Sequence, residues 1–214
     1  MRFEGDLLSC GTLAAEDLRQ KVALLTAAHS YRDPFTIKHQ DRVADLVVAI
    51  GTRLGLSALN LEILRLSAIV HDIGKIGVPA EILGKPGALT DPEYALIKTH
   101  CVIGRNILEH LKTPFPVAEI VCQHHERLDG SGYPLGLPGP DILLEARILA
   151  VADVYDAMTS NRAYRPGLPR DFVLAEMQTM AGRVLDVDAV DACRQFALGT
   201  PPERADASDA LSVV

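Results

Sequence analysis

Seven side chains of the kinds that bind metal ions lie on helical apolar faces or at predicted helix ends. They are the five histidines and two aspartates at positions His39, His71, His100, His124, His125, Asp72 and Asp153. His39 shares a face with Val43 and Val47, and Asp153 lies four residues after Leu149, so these polar groups are expected to point inward. Because a buried, unpaired carboxylate or imidazolium is costly, each of them needs a partner.

A shared metal centre would satisfy all of these groups together. Two adjacent pairs, His71–Asp72 and His124–His125, are predicted at helix ends beside glycine-containing loops. The alternative is that each histidine is an ordinary core residue with its own hydrogen bonds, which requires five separate solutions where a metal cluster requires one. The imidazole nitrogens and carboxylate oxygens suffice for two divalent ions, and Asp72 could bridge them.

Length, net charge and cysteine spacing limit the binding partners and the cellular compartment that we expect for this chain. The 214 residues suit one domain with a full hydrophobic core, and the net charge of −7 offers no basic surface for long nucleic acids. A nucleotide ligand must therefore be small. The four cysteines have no CxxC spacing, which argues against a disulfide framework or a thiolate zinc site. With neither a signal peptide nor an 18-residue apolar run, no membrane insertion is expected and a cytoplasmic location is predicted.

The elements that must position these residues are predicted to be helices. Apolar residues recur at spacings of three and four, which predicts an all-α fold with a single helical-bundle domain. Helices are expected at about residues 13–30, 34–54, 58–72, 90–111, 117–126, 144–160, 170–181 and 188–198, with loops at 78–88 and 129–140. Asp33 and Ser57 are predicted N-caps, and Thr90 with Glu93 has capping-box spacing.

Two segments carry a resemblance to a known family. HDIGKIGVP at 71–79 and HHERLDGSGYPLGL at 124–137 resemble the two signatures of the HD-GYP family, and the similarity extends over residues 32–166. That family is a branch of the HD phosphohydrolases, bacterial cyclic di-GMP phosphodiesterases with a helical fold and a centre of two or three metals, usually iron or manganese. The resemblance implies an HD-GYP catalytic domain, expected at 31–199. The apolar spacing before it predicts an N-terminal helix or linker at 1–30, and the prolines and polar residues after it predict a disordered tail at 200–214.

The resemblance also implies a division of the metal ligands. One ion would be held by His39, His71, Asp72 and Asp153, and the other by Asp72, His100, His124 and His125. This set of nitrogen and oxygen ligands suits Fe or Mn and does not exclude Zn, Ni or Co. Family members with a third metal have a glutamate one turn before the first ligand histidine, and Phe35 stands there in this chain. Two ions are therefore expected.

The expected chemistry is phosphodiester hydrolysis. Two nearby cations lower the pKa of a bridging water and neutralise phosphate oxygens, so that hydroxide can attack phosphorus opposite the departing 3′ oxygen. Asp72 would act as the bridging ligand. Lys75 follows Asp72 by three residues, so a helical continuation would bring its ammonium to the same face, where it could bind phosphate or aid the leaving oxygen. The alternative for Lys75 is a solvated lysine at a helix end.

Substrate contacts are expected from two further places. The glycines of the loop that follows the histidine pair, Gly132 among them, would let the backbone approach a guanine or a phosphate, and Tyr133 could stack or hydrogen-bond there. The alternative is an ordinary surface turn. Arg162 and Arg165 match family positions that contact substrate phosphates, whereas on their own they would be a solvated charge pair.

The leading hypothesis is a phosphodiesterase that converts cyclic di-GMP to pGpG, with or without further cleavage to GMP. One alternative is a hydrolase of another cyclic dinucleotide, such as mixed cyclic GMP-AMP. Another is an inactive module that senses the dinucleotide or docks a diguanylate cyclase through the loop containing Tyr133. About 30 residues precede the core, too few for a sensor domain, so an upstream domain or a separate partner is expected to provide regulation.

Overall fold

The structure, a computed structural model, describes residues 3–30, 34–161 and 166–200, where it contains α- and 3₁₀-helices and no strands. The α-helices are α1 (Phe3–Ser30), α2 (Pro34–Arg53), α3 (Ala58–Val70), α4 (Ala80–Leu83), α5 (Asp91–Lys98), α6 (His100–Glu109), α7 (Val117–Gln123), α8 (Leu144–Thr159), α9 (Arg170–Met180) and α10 (Val187–Ala197). Two short 3₁₀-helices span Ile73–Gly77 and Gly139–Asp141. The prediction of an all-α fold is confirmed. Arg162, Arg165, the predicted cap Asp33 and residues 201–214 lie outside the described residues.

Helices α2, α3 and α8 form the centre of the bundle. Helix α2 packs against α3, α8 and α10, and α3 packs in turn against α1 and α7. Helix α8 is apolar around most of its circumference, which is typical of a helix enclosed by its neighbours. Its buried apolar side chains are Ala146, Ile148, Leu149, Ala150, Val151 and Ala152. Because Asp153 lies on α8, the fold places its carboxylate inside the bundle.

Three element boundaries differ from the sequence-based prediction. Helix α1 begins at Phe3 rather than near Leu13, and its inner face packs Leu18 and Val22 into the core. The segment 78–88, expected to be a loop, contains the short helix α4. The single helix expected at 90–111 is two helices that meet at Thr99, whose hydroxyl donates to the Leu96 carbonyl at 2.6 Å. Such a local side-chain bond competes with the helical ladder and favours an interruption.

Two of the predicted helix starts are confirmed by their hydrogen bonds. The Ser57 hydroxyl accepts from the Asn60 backbone N–H at 3.2 Å at the start of α3. At the start of α5, the Glu93 carboxylate accepts from the Thr90 backbone N–H at 2.8 Å and completes the predicted capping box. Within the described part of the chain, no helix has the length and apolarity that a bilayer crossing requires.

Candidate metal centre

Three buried histidines are fixed in the same way by their own helices. In each of them the Nδ1 atom lies within hydrogen-bonding distance of the backbone carbonyl three residues earlier. The pairs are His71 with Ala68 at 2.7 Å, His100 with Ile97 at 2.7 Å and His124 with Val121 at 2.6 Å. A carbonyl oxygen can only accept, so Nδ1 carries the proton and Nε2 keeps a free lone pair.

These lone pairs point toward one another. The Nε2 atoms of His100 and His124 are 3.4 Å apart, although neither can donate to the other. The Nε2 of His71 is buried and has no hydrogen-bond partner among the described residues. Burial lowers the pKa of both His100 and His124, which keeps the imidazoles neutral. A cation among the three nitrogens would satisfy all of them, so these residues fit a metal ion.

Asp72 lies between two of these nitrogens. One carboxylate oxygen is 3.4 Å from Nε2 of His71 and the other is 3.6 Å from Nε2 of His100. The carboxylate is buried, and burial alone would raise its pKa, but Lys75 and His71 hold that pKa well below its ordinary value. An ionised carboxylate whose two oxygens face different histidines has the geometry that a bridging ligand needs.

A second group lies on the side of α2 and α8. The Nε2 atom of His39 is 3.3 Å from Oδ1 of Asp153, and that same oxygen is 3.9 Å from Nε2 of His71. Burial would lower the pKa of His39, but its hydrogen bonds to Asp153 and Asp156 raise that pKa to about 9. Without a cation, these carboxylates therefore favour a protonated imidazole, and a metal ion would take the place of that positive charge.

All seven predicted ligands come together in this centre. Ligand atoms lie within 4.8 Å of one another in each of three sets, which are His39, His71 and Asp153; His71, Asp72 and His124; and His100, His124, His125 and Cys101. His71 and His124 each belong to two sets, so the sets are continuous. Cys101 was not expected there, but burial raises the pKa of its thiol, which favours the protonated form over a thiolate ligand.

Gly74 allows the chain segment with Asp72 to approach α6. A Cβ atom on Gly74 would overlap the backbone carbonyl of His100 and come within 2.5 Å of the Gly104 nitrogen. Glycine therefore permits direct contact between the 3₁₀-helix Ile73–Gly77 and the start of α6. The same short helix directs the Lys75 ammonium back to Asp72, at 2.6 Å from Oδ2. The sequence predicted this proximity through a helical continuation, and a tighter 3₁₀-helix provides it.

The loop after the histidine pair is organised by Glu126, whose role the sequence analysis missed. This carboxylate is only 2% exposed and accepts hydrogen bonds from the backbone N–H groups of residues 135, 136 and 137 at 2.7, 3.2 and 3.0 Å. A Cβ on Gly132 would fall within 2.6 Å of the backbone of Glu126 and Arg127. The glycine is therefore required by the packing of the loop itself. Tyr133 places its ring 4.7 Å from that of His125.

A second carboxylate on α8 also escaped the sequence analysis. Asp156 contacts Nδ1 of His39 at 2.7 Å and receives two hydrogen bonds from the Arg42 guanidinium at 2.6 and 2.9 Å. Asp156 follows Asp153 by three residues and therefore faces the same side of α8. The spacing of three residues from Asp153 is the sequence signal that could have identified Asp156. Asp156 turns the other imidazole nitrogen of His39 toward the centre.

The fold and site together define an all-helical protein with a cluster of imidazoles and carboxylates compatible with divalent metal binding. A family model described as "HD domain" matches residues 24–189, so the chain belongs to the HD domain family. The predicted resemblance to the HD-GYP branch is confirmed. The solved structure of Bd1817, an HDG"Y"P protein from Bdellovibrio bacteriovorus, has the same fold, with a TM-score of 0.66 at 21% identity over 89% of this chain and 63% of that one.

Two curated relatives have named activities. The chain is 40% identical to the cyclic di-GMP phosphodiesterase response regulator RpfG of Xanthomonas campestris, over 90% of this chain and 51% of that protein. It is 39% identical to the 3′3′-cGAMP-specific phosphodiesterase 1 of Vibrio cholerae, over 78% of this chain and 38% of that protein. The chain therefore spans about half or less of the length of these relatives.

Proposed function

We propose that this chain is a metal-dependent phosphodiesterase that hydrolyses cyclic di-GMP to linear pGpG. The observation that carries the proposal is the set of buried Nε2 lone pairs that face one another beside the ionised Asp72. A structural role alone would leave the buried Nε2 of His71 without a hydrogen-bond donor among the described residues. The similarity to a cyclic di-GMP phosphodiesterase supports the choice of substrate.

The proposed ligand sets follow the two sides of the centre. His39, His71, Asp72 and Asp153 would hold one divalent ion, and Asp72, His100, His124 and His125 would hold the other. Fe or Mn suits these ligands best, and Zn, Ni or Co would also accept them. When bound, two such ions supply Lewis acidity to the phosphate and lower the pKa of water.

The Lys75 ammonium is placed to contact either the Asp72 carboxylate or a substrate phosphate beside it. Its ammonium donates to Asp72 at 2.6 Å, and about 30% of its side chain remains exposed. With Asp72 holding a metal ion, the ammonium would be able to donate to a phosphate oxygen or to the departing 3′ oxygen. Asp72 would thereby position both a metal ion and the Lys75 ammonium next to the reacting phosphate.

The substrate contacts belong to the same proposal. Tyr133 lies against His125 at the edge of the centre, where its ring or hydroxyl can contact a nucleotide. Gly132 precedes it and keeps the loop close to Glu126 and Arg127. We assign phosphate contacts to Arg162 and Arg165 on the family resemblance alone, because both lie outside the described residues. Further cleavage of pGpG to GMP would use the same centre.

A second candidate substrate is cyclic GMP-AMP, which the similarity to a cGAMP-specific phosphodiesterase favours. Parallel turnover assays with cyclic di-GMP and cyclic GMP-AMP discriminate between the two. We expect a higher kcat/KM for cyclic di-GMP. The reverse order would assign the chain to the mixed dinucleotide, and no turnover of either by metal-loaded protein would favour a sensing or cyclase-docking module.

The substitution Asp72→Ala tests the role of the bridging carboxylate. It removes the ligand shared by both proposed ion sites, so we expect metal content and hydrolysis to be lost together. Elemental analysis and a turnover assay on the same purified variant measure both. Asp45→Ala, which changes an exposed carboxylate on α2, is the matched control and should keep both properties. An Asp72→Ala protein with the wild-type rate would refute the proposed mechanism.

A further inference from the structure

An aromatic and cationic cluster lies beside the metal centre, between α5 and the loop 129–140. Tyr94 and Lys98 are one helical turn apart on α5, and Tyr133 faces them from the loop. The Lys98 ammonium is 4.6 Å from the ring centroid of Tyr94 and 5.4 Å from that of Tyr133. The two rings are 6.5 Å apart and nearly perpendicular. We call these three residues the tyrosine–lysine cluster.

The cluster adjoins the proposed metal ligands through Tyr133. The ring of Tyr133 is 4.7 Å from that of His125 and 6.5 Å from that of His100. Tyr133 thus borders the metal centre on one side and Lys98 on the other. A ligand whose phosphate lies at the metal centre would extend past Tyr133 toward Tyr94 and Lys98.

The groups of this cluster are available to a ligand. Tyr94 is 46% exposed and Tyr133 is partly exposed. Among the salt bridges within 4 Å in the part of the chain that the structure describes, none involves the Lys98 ammonium. Lys98 instead lies over two aromatic faces, an arrangement that leaves its N–H donors free for an acceptor.

We propose that the tyrosine–lysine cluster binds one guanine base of the cyclic dinucleotide, with the base stacked on Tyr94 and Lys98 donating to O6 and N7. Guanine presents two acceptors on that edge, whereas adenine presents an acceptor and an amino donor, which an ammonium cannot satisfy. Aromatic rings stack on any base, so Tyr94 contributes affinity and Lys98 contributes selectivity. This inference rests on the proposed binding of the phosphodiester at the metal centre.

Steady-state kinetics of paired variants with cyclic di-GMP and cyclic di-AMP test the assignment. Tyr94→Ala should raise KM for cyclic di-GMP about tenfold, whereas Tyr94→Phe should stay within about twofold because the ring remains. Lys98→Met should reduce the preference for cyclic di-GMP over cyclic di-AMP about tenfold, and Lys98→Arg should retain it because arginine donates to the same guanine edge. Leu96→Ala, an exposed change on the same helix, is the control, and metal content should be wild-type in every variant.

The outcomes separate this inference from the proposed hydrolysis. If wild-type protein turns over cyclic di-GMP and the Tyr94→Ala and Lys98→Met variants match it, the cluster does not bind a base. Equal losses with both dinucleotides in Lys98→Met would indicate a phosphate contact and overturn the guanine assignment. If wild-type protein does not hydrolyse cyclic di-GMP, the proposed activity is refuted. Calorimetric binding of that dinucleotide, weakened by Tyr94→Ala, would then still support base binding by the cluster. An absence of binding would overturn both.

Discussion

His39 is held from outside the metal centre by a carboxylate, whereas His71, His100 and His124 are held by backbone carbonyls. Asp156 accepts a hydrogen bond from Nδ1 of His39 at 2.7 Å and is itself held by Arg42. Burial would raise the pKa of Asp156, but His39 and Arg42 lower it to about 2, so the carboxylate stays ionised at neutral pH. Such an outer partner fixes the tautomer of a ligand histidine and raises its basicity. Asp156 is therefore a positioning residue for the proposed centre.

We expect Asp156→Ala to weaken metal binding at the His39 side about 10- to 100-fold, because the imidazole loses its orienting acceptor. Competition with a chelator measures the affinity, and nitrogen chemical shifts of the histidines report the tautomer of His39. The control is Ser160→Ala, which removes a donor to the same carboxylate at 3.1 Å without touching the imidazole. Identical affinities and an unchanged His39 tautomer in Asp156→Ala would contradict this role.

At the level of single residues, the sequence identified the candidate metal ligands but not the residues that hold those ligands and the loop in place. His39 and Asp153 could be recognised because a polar residue interrupts an apolar stripe. The partnership of His39 with Asp156 joins residues 117 positions apart, so it depends on the packing of α2 against α8. The support that Glu126 gives to three backbone N–H groups likewise depends on the path of the loop, which no periodic pattern encodes.

The elements that carry the site are helices joined by short segments in which individual contacts determine the path. Helix starts with clear caps were predicted well, as at Ser57 and Thr90. The division at Thr99 was not predicted, because the apolar spacing continues through it from Leu96 to Ile103. Periodicity therefore identified the helices, while side-chain hydrogen bonds determined where one helix became two.

The loop 129–140 depends on Glu126 in the same way. Glu126→Gln replaces a carboxylate that accepts three N–H groups with an amide that has one acceptor oxygen and a competing NH₂ group. Leaving buried donors unsatisfied costs about 1–3 kcal/mol, so we expect the free energy of unfolding to fall by that amount and protease cleavage in the loop to accelerate. Urea unfolding and timed proteolysis measure these effects, with Glu145→Gln, at a partly exposed position on α8, as control. Equal stability of the two variants would argue against the supporting role of Glu126.

Across the whole molecule, the proposed ligands come from widely separated parts of the chain. They are contributed by α2, the end of α3, the start of α6, the end of α7 and the middle of α8. The sequence predicted the convergence because one shared partner satisfies many buried polar groups together, whereas separate hydrogen bonds would require a solution for each. It did not predict that α1 would extend from Phe3, since the early residues lack a clear apolar pattern. Metal binding is expected to stabilise the fold, because the unfolded chain cannot assemble these ligands.

We propose that the inward-facing imidazoles and carboxylates share two metal ions, and metal stoichiometry tests this arrangement most directly. Protein reconstituted anaerobically with Fe(II) or Mn(II) and freed of loosely bound ions should contain two ions per chain by elemental analysis. Two ions are expected because Phe35 stands where a third site would need a glutamate. A folded, reconstituted sample that retains no transition metal would contradict the account.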